Sequence, residues 1–385
     1  MSYIGSKPAD AVLETDDITD GVITTSKLAD DSVTNPKLST GSQQNFRNII
    51  INGDMSIAQR GTSASGLTGG AYNTADRFYL NMGTAGTWTN TISTDVPTGQ
   101  GFAKSFKLDC TTANASLSAG SYMTVQQRFE GQNLQYLKKG TANAESLTLS
   151  FWVKSNKTGT YIAYLRDGDN SRDISKSYTI DSANTWEKKT LTFAGDTTGT
   201  LDNDNNLSFY VYFWLSAGTD YTSGTLATSW QSSTATNNAV GQVNLADSTS
   251  NERYITGVQL EAGTTASDFE FLPYDVNLDR CERYYQVYTG TSTSSAVSAG
   301  IAWNTTNTSN HILAFRNMMR TTPTLIQSSL DLRDPVSADY SATISISGGS
   351  SDSIQLGSSG SSGLVARRMY WIATNGGYLH FDGEL

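Results

Sequence analysis

The sequence predicts an all-β protein, and three observations carry that expectation. Gly, Ser, Thr and Asn are abundant while only 16% of the residues are charged, an excess of small turn-formers that suits many short strands and does not suit long helices. Aromatic residues make up 10% of the chain and fall in short runs bounded by Gly, Asn and Asp, the punctuation of strands. Within those runs the side chains alternate. In Phe209-Tyr-Val-Tyr-Phe-Trp-Leu215, for instance, Phe209, Val211, Phe213 and Leu215 belong to one face and Tyr210, Tyr212 and Trp214 to the other, because successive strand side chains point to opposite sides.

The first element, residues 1–45, differs from everything after it. Ile18, Ile23, Leu28, Val33 and Leu38 recur at every fifth position, and Ile23-Thr-Thr-Ser-Lys-Leu28 returns as Val33-Thr-Asn-Pro-Lys-Leu38. One apolar residue in five cannot enclose a core in one chain, since ordering costs about 1–2 kcal/mol per residue and so little burial returns less. The segment therefore packs against copies of itself, as a thin stalk with these five residues on a common three-chain axis, or it is a flexible linker. Residues 46–275 read as a β-sandwich of the jelly-roll sort, with strands expected at Phe106–Cys110, Tyr122–Phe129, Leu147–Lys154, Tyr161–Arg166, Trp186–Phe193, Phe209–Leu215 and Tyr254–Leu260. In the last of these, Tyr254, Thr256, Val258 and Leu260 alternate with Ile255, Gly257, Gln259 and Glu261. Leu278, Cys281, Tyr284 and Tyr285 then fall at helical spacing, which predicts a connecting helix over 276–286. Residues 287–385 form a smaller C-terminal β domain, with strands expected at Ser298–Trp303, His311–Phe315, Thr343–Ser347, Leu364–Ala373 and Tyr378–Leu385.

Several of these stretches share their wording with one kind of protein. Asn48-Ile-Ile-Ile-Asn-Gly-Asp-Met-Ser-Ile-Ala-Gln-Arg60, Thr74-Ala-Asp-Arg-Phe78, Val125-Gln-Gln-Arg-Phe-Glu-Gly131 and Leu149-Ser-Phe-Trp-Val-Lys-Ser155 come first. Tyr254-Ile-Thr-Gly-Val-Gln-Leu-Glu-Ala-Gly263, Phe269-Glu-Phe-Leu-Pro-Tyr274, Cys281-Glu-Arg-Tyr-Tyr285, Met319-Arg-Thr-Thr-Pro-Thr324 and Phe381-Asp-Gly-Glu-Leu385 follow. The set resembles the tail-fibre and receptor-binding proteins of tailed bacteriophages, those of cyanophages among them, with Gly383 where those fibres usually carry Ala. The resemblance implies a virion fibre with a jelly-roll body, an N-terminal anchor to other virion proteins at residues 1–45, and a homotrimeric assembly. Met1-Ser-Tyr-Ile-Gly-Ser-Lys-Pro-Ala9 resembles the anchoring end of such fibres.

Composition excludes several other classes. A net charge of −10 disfavours nucleic acid and anionic lipid as partners, and no basic stripe offsets it. No apolar run approaches the length of a membrane span, and the opening residues lack the order of a signal peptide, so synthesis in a host cytoplasm is expected. Cys110 and Cys281 stand far apart on different expected elements and read as two free, buried thiols. With only His311 and His380, triads and zinc spacings are unavailable. Asp202-Asn-Asp-Asn-Asn206 and Asp167-Gly-Asp-Asn170 lack the Gly and Glu of a calcium loop and read as turns. No catalytic residue, metal or cofactor is expected. A polysaccharide depolymerase, which needs two carboxylates flanking a bond, is the weaker enzymatic alternative.

The expected function is attachment of the particle to the host surface, to polysaccharide or protein. Placing the anchor at the N-terminus turns residues 287–385 outward, which makes Trp303, Tyr370, Trp371 and Tyr378 candidate receptor contacts. Tyr210, Tyr212 and Trp214 are flat rings with polar edges, suited to packing between protomers or to stacking on sugars, with packing preferred. A capsid-attached fibre or decoration protein without a receptor is the alternative.

Overall fold

A computed structural model describes residues 46–289 and 296–385, apart from 306, 335, 337, 338, 375 and 376. The anchor, the repeat and its residues Ile18, Ile23, Leu28, Val33 and Leu38 lie outside the described residues. The described chain is all-β: a jelly-roll sandwich followed by a smaller β unit.

The sandwich strands are β1 (Ser63–Leu67), β2 (Ala71–Tyr72), β3 (Tyr79–Gly83), β4 (Thr87–Ser93), β5 (Ser105–Thr112), β6 (Tyr122–Glu130), β7 (Leu147–Ser155), β8 (Gly159–Asp167), β9 (Arg172–Ile180), β10 (Glu187–Phe193), β11 (Leu207–Ala217), β12 (Gln231–Ser232) and β13 (Glu252–Ala262). They form a six-stranded sheet, β1-β4-β5-β13-β7-β10, and a seven-stranded sheet, β12-β9-β8-β11-β6-β3-β2. Their inner faces close on Trp88, Phe106, Phe151, Phe193, Phe213 and Ile255, all buried in one core, so the apolar half of each alternating run is consumed between the sheets. Strands β1 to β4, β9 and β12 escaped sequence reading. In β9, Arg-Asp-Ile-Ser-Lys-Ser-Tyr-Thr-Ile, the outward polar residues outnumber the inward apolar ones and mask the period.

The alternation expected across Tyr254–Glu261 breaks at a bulge. Pairing with β7 slips between Thr256 and Gln259, and Gly257 takes φ +60° with the Phe102 ring only 2.5 Å from where a Cβ would stand. The extra residue shifts the phase, so that Ile255, Val258 and Leu260 all face the core.

Helix α1 (Thr219–Thr222) is a single turn, and α2 spans Tyr274–Glu282, starting at Pro273 and ending before the expected 286. Tyr285 belongs instead to β14 (Tyr285–Thr289), because backbone pairing with Asp382 claims it. The later strands are β15 (Ala296–Ala302), β16 (Thr308–Ala314), β17 (Thr324–Ser328), β18 (Asp331–Arg333), β19 (Asp339–Ser341), β20 (Thr343–Gly349), β21 (Ser353–Ser359), β22 (Met369–Ala373) and β23 (Tyr378–Asp382). A three-stranded sheet, β14-β23-β17, and a seven-stranded one, β19-β18-β22-β15-β16-β21-β20, enclose a second core around Leu332, Ile354, Leu356, Tyr370 and Phe381. The strand expected from Leu364 begins only at Met369, since Arg367 sits in a turn at φ +65°. Cys110 and Cys281 are free and buried.

A polar junction joins the two cores, and the shared sequence blocks meet there. Arg283 grips Glu130 with two hydrogen bonds of 2.7 and 2.6 Å, and the Tyr284 hydroxyl donates to the same carboxylate at 2.5 Å. Arg77, fully buried, pairs with Glu384 and lies 3.5 Å over the Tyr284 ring. Arg320 donates to the carbonyls of Gly383, Glu384 and Asn205, and Arg128 to that of Leu385. The Asn48 side chain accepts from Leu260 N at 3.1 Å and donates to Val258 O at 3.2 Å. At Gly53 a Cβ would fall 2.1 Å from Val258 O, so only glycine admits that approach.

Candidate functional site

Strand β11 lies inside the seven-stranded sheet of the sandwich, between β8 and β6. Its inward side chains, Phe209, Val211, Phe213 and Leu215, are buried in the core. On the outer face, register assembles rows across the strands. Tyr212 stands opposite Tyr164 on β8 and Gln126 on β6, and Gln126 stands opposite Tyr79 on β3. Tyr210 stands opposite Arg166 and Arg128, while Trp214 stands opposite Thr124, itself opposite Asn81. Directly opposed residues share a face, so aromatic rings, amides and guanidinium groups from four strands converge.

The segment after β11 folds back over one end of this face. Tyr221 of α1 lies 5.2 Å from the Trp214 ring and 5.8 Å from Tyr122. Ser175 Oγ on β9 donates to Asn238 O at 2.9 Å, which holds the returning chain over the sheet. What remains open is a cleft of about 210 Å³, with Tyr212, Gln126 and Asn81 among its lining, Tyr164 and Arg166 beside them, and Tyr221 and Asn238 from the covering segment. The cover corrects one expectation. Trp214 is only 4% exposed and packs with Ile162, Tyr164 and Ala239 of its own chain, so it offers no ring to a neighbouring protomer. Tyr210 and Tyr212 stay half-exposed.

The cleft is rich in unused hydrogen-bonding capacity. Beneath its surface, Trp214 Nε1 and Asn238 Oδ1 are buried without a hydrogen-bond partner among the described residues, a costly state. Tyr164 donates to Asp173 Oδ2 at 3.2 Å. Burial pushes the Tyr164 and Tyr212 phenols well up, so both are neutral donors at ordinary pH. Arg166 is opposed by burial, but the oxygens of Tyr164, Tyr212 and Tyr210 outweigh it and raise its pKa. The result is a fixed cation among rings. The lining contains no carboxylate, histidine or thiol; its ionisable groups are one arginine and tyrosines, of which Tyr164 and Tyr212 are held neutral by burial. Flat rings with convergent donors suit the apolar faces and hydroxyl edges of sugars.

The candidates in the C-terminal unit are dispersed. Trp303 is 68% exposed at the end of β15, whereas Tyr370 is completely buried. The Tyr370 hydroxyl accepts from Val365 N at 2.9 Å, and its ring meets Tyr340 edge-on, so it is a core residue and no receptor contact. Strand alternation decides this: Tyr370 and Ile372 point inward, Met369 and Trp371 outward. Tyr378 lies elsewhere, stacked on His380 at 4.1 Å on β23. Sequence reading missed Arg166, Tyr164, Gln126 and Asn81. For the first three the signal was the alternation in Tyr161–Arg166 and Tyr122–Phe129, which becomes informative only once register sets those strands beside β11; Asn81 lies on β3, which gave no such signal.

No family model matches this chain, and no curated protein matches it. Among solved structures it is similar to the enzymatically active domain of tailspike protein 4 of bacteriophage CBA120, at 16% identity and a TM-score of 0.29, over 56% of this chain and 21% of that one. It is also similar to a CBM4 structure, at 10% identity and TM-score 0.27 over 55% of this chain and 97% of that one. A third is the C-terminal family 22 carbohydrate-binding module of Clostridium thermocellum Xyn10B, at 12% and 0.27 over 59% and 99%. The chain thus spans about a fifth of the tailspike's length. Likenesses of this size assign no residue a role.

Proposed function

We propose that this chain is a non-enzymatic fibre protein of a tailed-phage virion that binds carbohydrate on the host surface through the outer face of its seven-stranded sandwich sheet. One observation carries the reading: the Tyr212 ring, the Arg166 guanidinium and the Asn81 and Gln126 amides converge on one cleft of the outer face. Rings give sequence-tolerant stacking, and the guanidinium and amides give orientation. The phage assignment is supported by the shared sequence blocks, anchoring through residues 1–45 by the N-terminal wording, and trimerisation by the five-residue repeat. Three copies of a shallow site on one particle gain avidity of roughly 10²- to 10⁴-fold.

The test is retention of the full chain on immobilised bacterial capsular polysaccharides and lipopolysaccharide. Wild type should bind at least one of them, and Arg166→Ala or Tyr212→Ala should weaken binding by about tenfold or more. If Arg166→Ala binds normally while Trp303→Ala does not, the contact lies on the C-terminal unit and the cleft assignment is wrong. Light scattering should give a mass near three times the 41.4 kDa of the chain.

A further inference from the structure

The outer face of β3 leads out of the cleft. Asn81 lines the cleft, and Tyr79, two residues earlier on the same face, lines a second and larger groove of about 550 Å³ where the sandwich meets the three-stranded sheet. The sandwich side of this groove supplies Tyr72, edge-on to Tyr79 at 4.9 Å, with the Arg128 guanidinium 4.0 Å over the Tyr79 ring. The opposite side is β23. Tyr378 lies nearly parallel to His380, at 4.1 Å and 22°, and the Tyr285 hydroxyl is 2.6 Å from His380 Nδ1. Arg60 bridges the sides, 3.4 Å over Tyr285 and 5.2 Å from Tyr72, and it is held there by Asp382 at 3.4 Å and Glu384 at 3.3 Å. Burial and the Arg60 charge hold His380 below its ordinary pKa, so the stacked pair presents a neutral ring.

We infer that this groove is a second sugar-binding subsite, continuous with the cleft and completed by Tyr378 and His380 of the C-terminal unit. The register supports continuity. Tyr72, Tyr79, Gln126, Tyr212 and Tyr164 stand opposite one another on five successive strands. At about 4.8 Å per strand this row is roughly 20 Å long, and it runs from the groove into the cleft, with Tyr72, Tyr79 and Tyr212 partly exposed along it and Gln126 and Tyr164 buried between and beside them. A single ring cannot engage both ends. The ligand class is therefore an extended oligosaccharide lying across the strands, with one end in the cleft and the other on the Tyr378–His380 stack. The C-terminal unit then acts as one wall of a shared site rather than as a separate tip. This inference rests on the carbohydrate reading of the cleft.

The test uses the full chain, with a capsular or lipopolysaccharide glycan that it retains cut to disaccharide and octasaccharide fragments. Wild type should bind the octasaccharide more tightly than the disaccharide. Tyr378→Ala should weaken octasaccharide binding about tenfold, the loss of one stacking platform, and leave the disaccharide unaffected. A measurement on the unmutated chain guards against misfolding of the variant. His380 is one of two histidines in the sequence, so its imidazole proton resonance is assignable, and it should shift with octasaccharide but not with disaccharide. If Arg166→Ala removes binding while the His380 resonance and Tyr378→Ala affinity stay unchanged, the groove is no subsite and the cleft reading stands alone. If no glycan binds, or if Arg166→Ala is silent, the cleft reading fails and the groove falls with it.

Discussion

At the junction, Arg77, Arg283 and Arg320 are committed: each meets a carboxylate or a set of carbonyls contributed by another part of the chain. On the outer face of the sandwich sheet, Arg166 has no ion-pair partner among the described residues, and the Tyr210 and Tyr212 hydroxyls likewise have no hydrogen-bond partner there. The same residue types serve opposite ends. Ion-paired charges in a buried site lock two cores together, whereas a charge without an ion pair in a cleft is available to a ligand. The blocks whose wording resembles that of phage fibres, including Ala75-Asp-Arg77, Arg128-Phe-Glu130 and Cys281-Glu-Arg-Tyr-Tyr285, lie in the committed region. Their side chains there serve architecture and say nothing of the receptor.

The comparison breaks most readily at Glu384. Glu384→Ala leaves the fully buried Arg77 without its carboxylate, and breaking a buried pair in this way costs about 3–5 kcal/mol. Denaturant unfolding should show that loss, and a change below about 1 kcal/mol would mean that the junction is not held by paired buried charge. Next in size is Gly53→Ala, where the added Cβ collides with Val258 O. Backbone cannot move aside as a side chain can, so overpacking of about 1–3 kcal/mol is expected in the same measurement.

Arg166→Ala sharpens the contrast from the other side. It should shift stability by only about 0.5–1.5 kcal/mol, since Arg166 is half-buried and held by a hydrogen bond with Tyr164 rather than by an ion pair, while weakening glycan binding. A large loss of stability instead would make Arg166 a structural residue and the cleft a packing defect. The smallest effect is expected in acid. Burial alone would raise the Glu130 carboxyl, but hydrogen bonds from Arg283 and Tyr284 outweigh it and hold the group below its usual range. A depressed folded-state pKa stabilises above the unfolded value, about 4.3, and that contribution disappears as pH falls through the folded one. The melting temperature of wild type should therefore exceed that of Glu130→Gln near neutrality, and the gap should close on acidification.

The fold class was legible because composition and alternation act locally. Phe209–Leu215 sorts its own faces, and the spacing of Leu278 and Cys281 marks a helix. Local reading failed where partners decide the outcome. The bulge at Gly257 reversed the expected faces of Tyr254–Glu261, pairing with β23 drew Tyr285 out of the helix, and Tyr370 sank into a core that no single strand reveals.

The sequence by itself determined that this chain builds many short strands and that Tyr210 and Tyr212 share a face. These follow from backbone geometry and residue type over a few positions. Only the tertiary structure decided that Tyr164, Arg166, Gln126 and Tyr79 lie beside those tyrosines, that Trp214 is covered by its own chain, and that Tyr378 faces the sandwich across a groove. Each depends on strand register and on a return of the chain from far along the sequence. A strand's own residues specify which side chains share a face, but not which strand lies next to it.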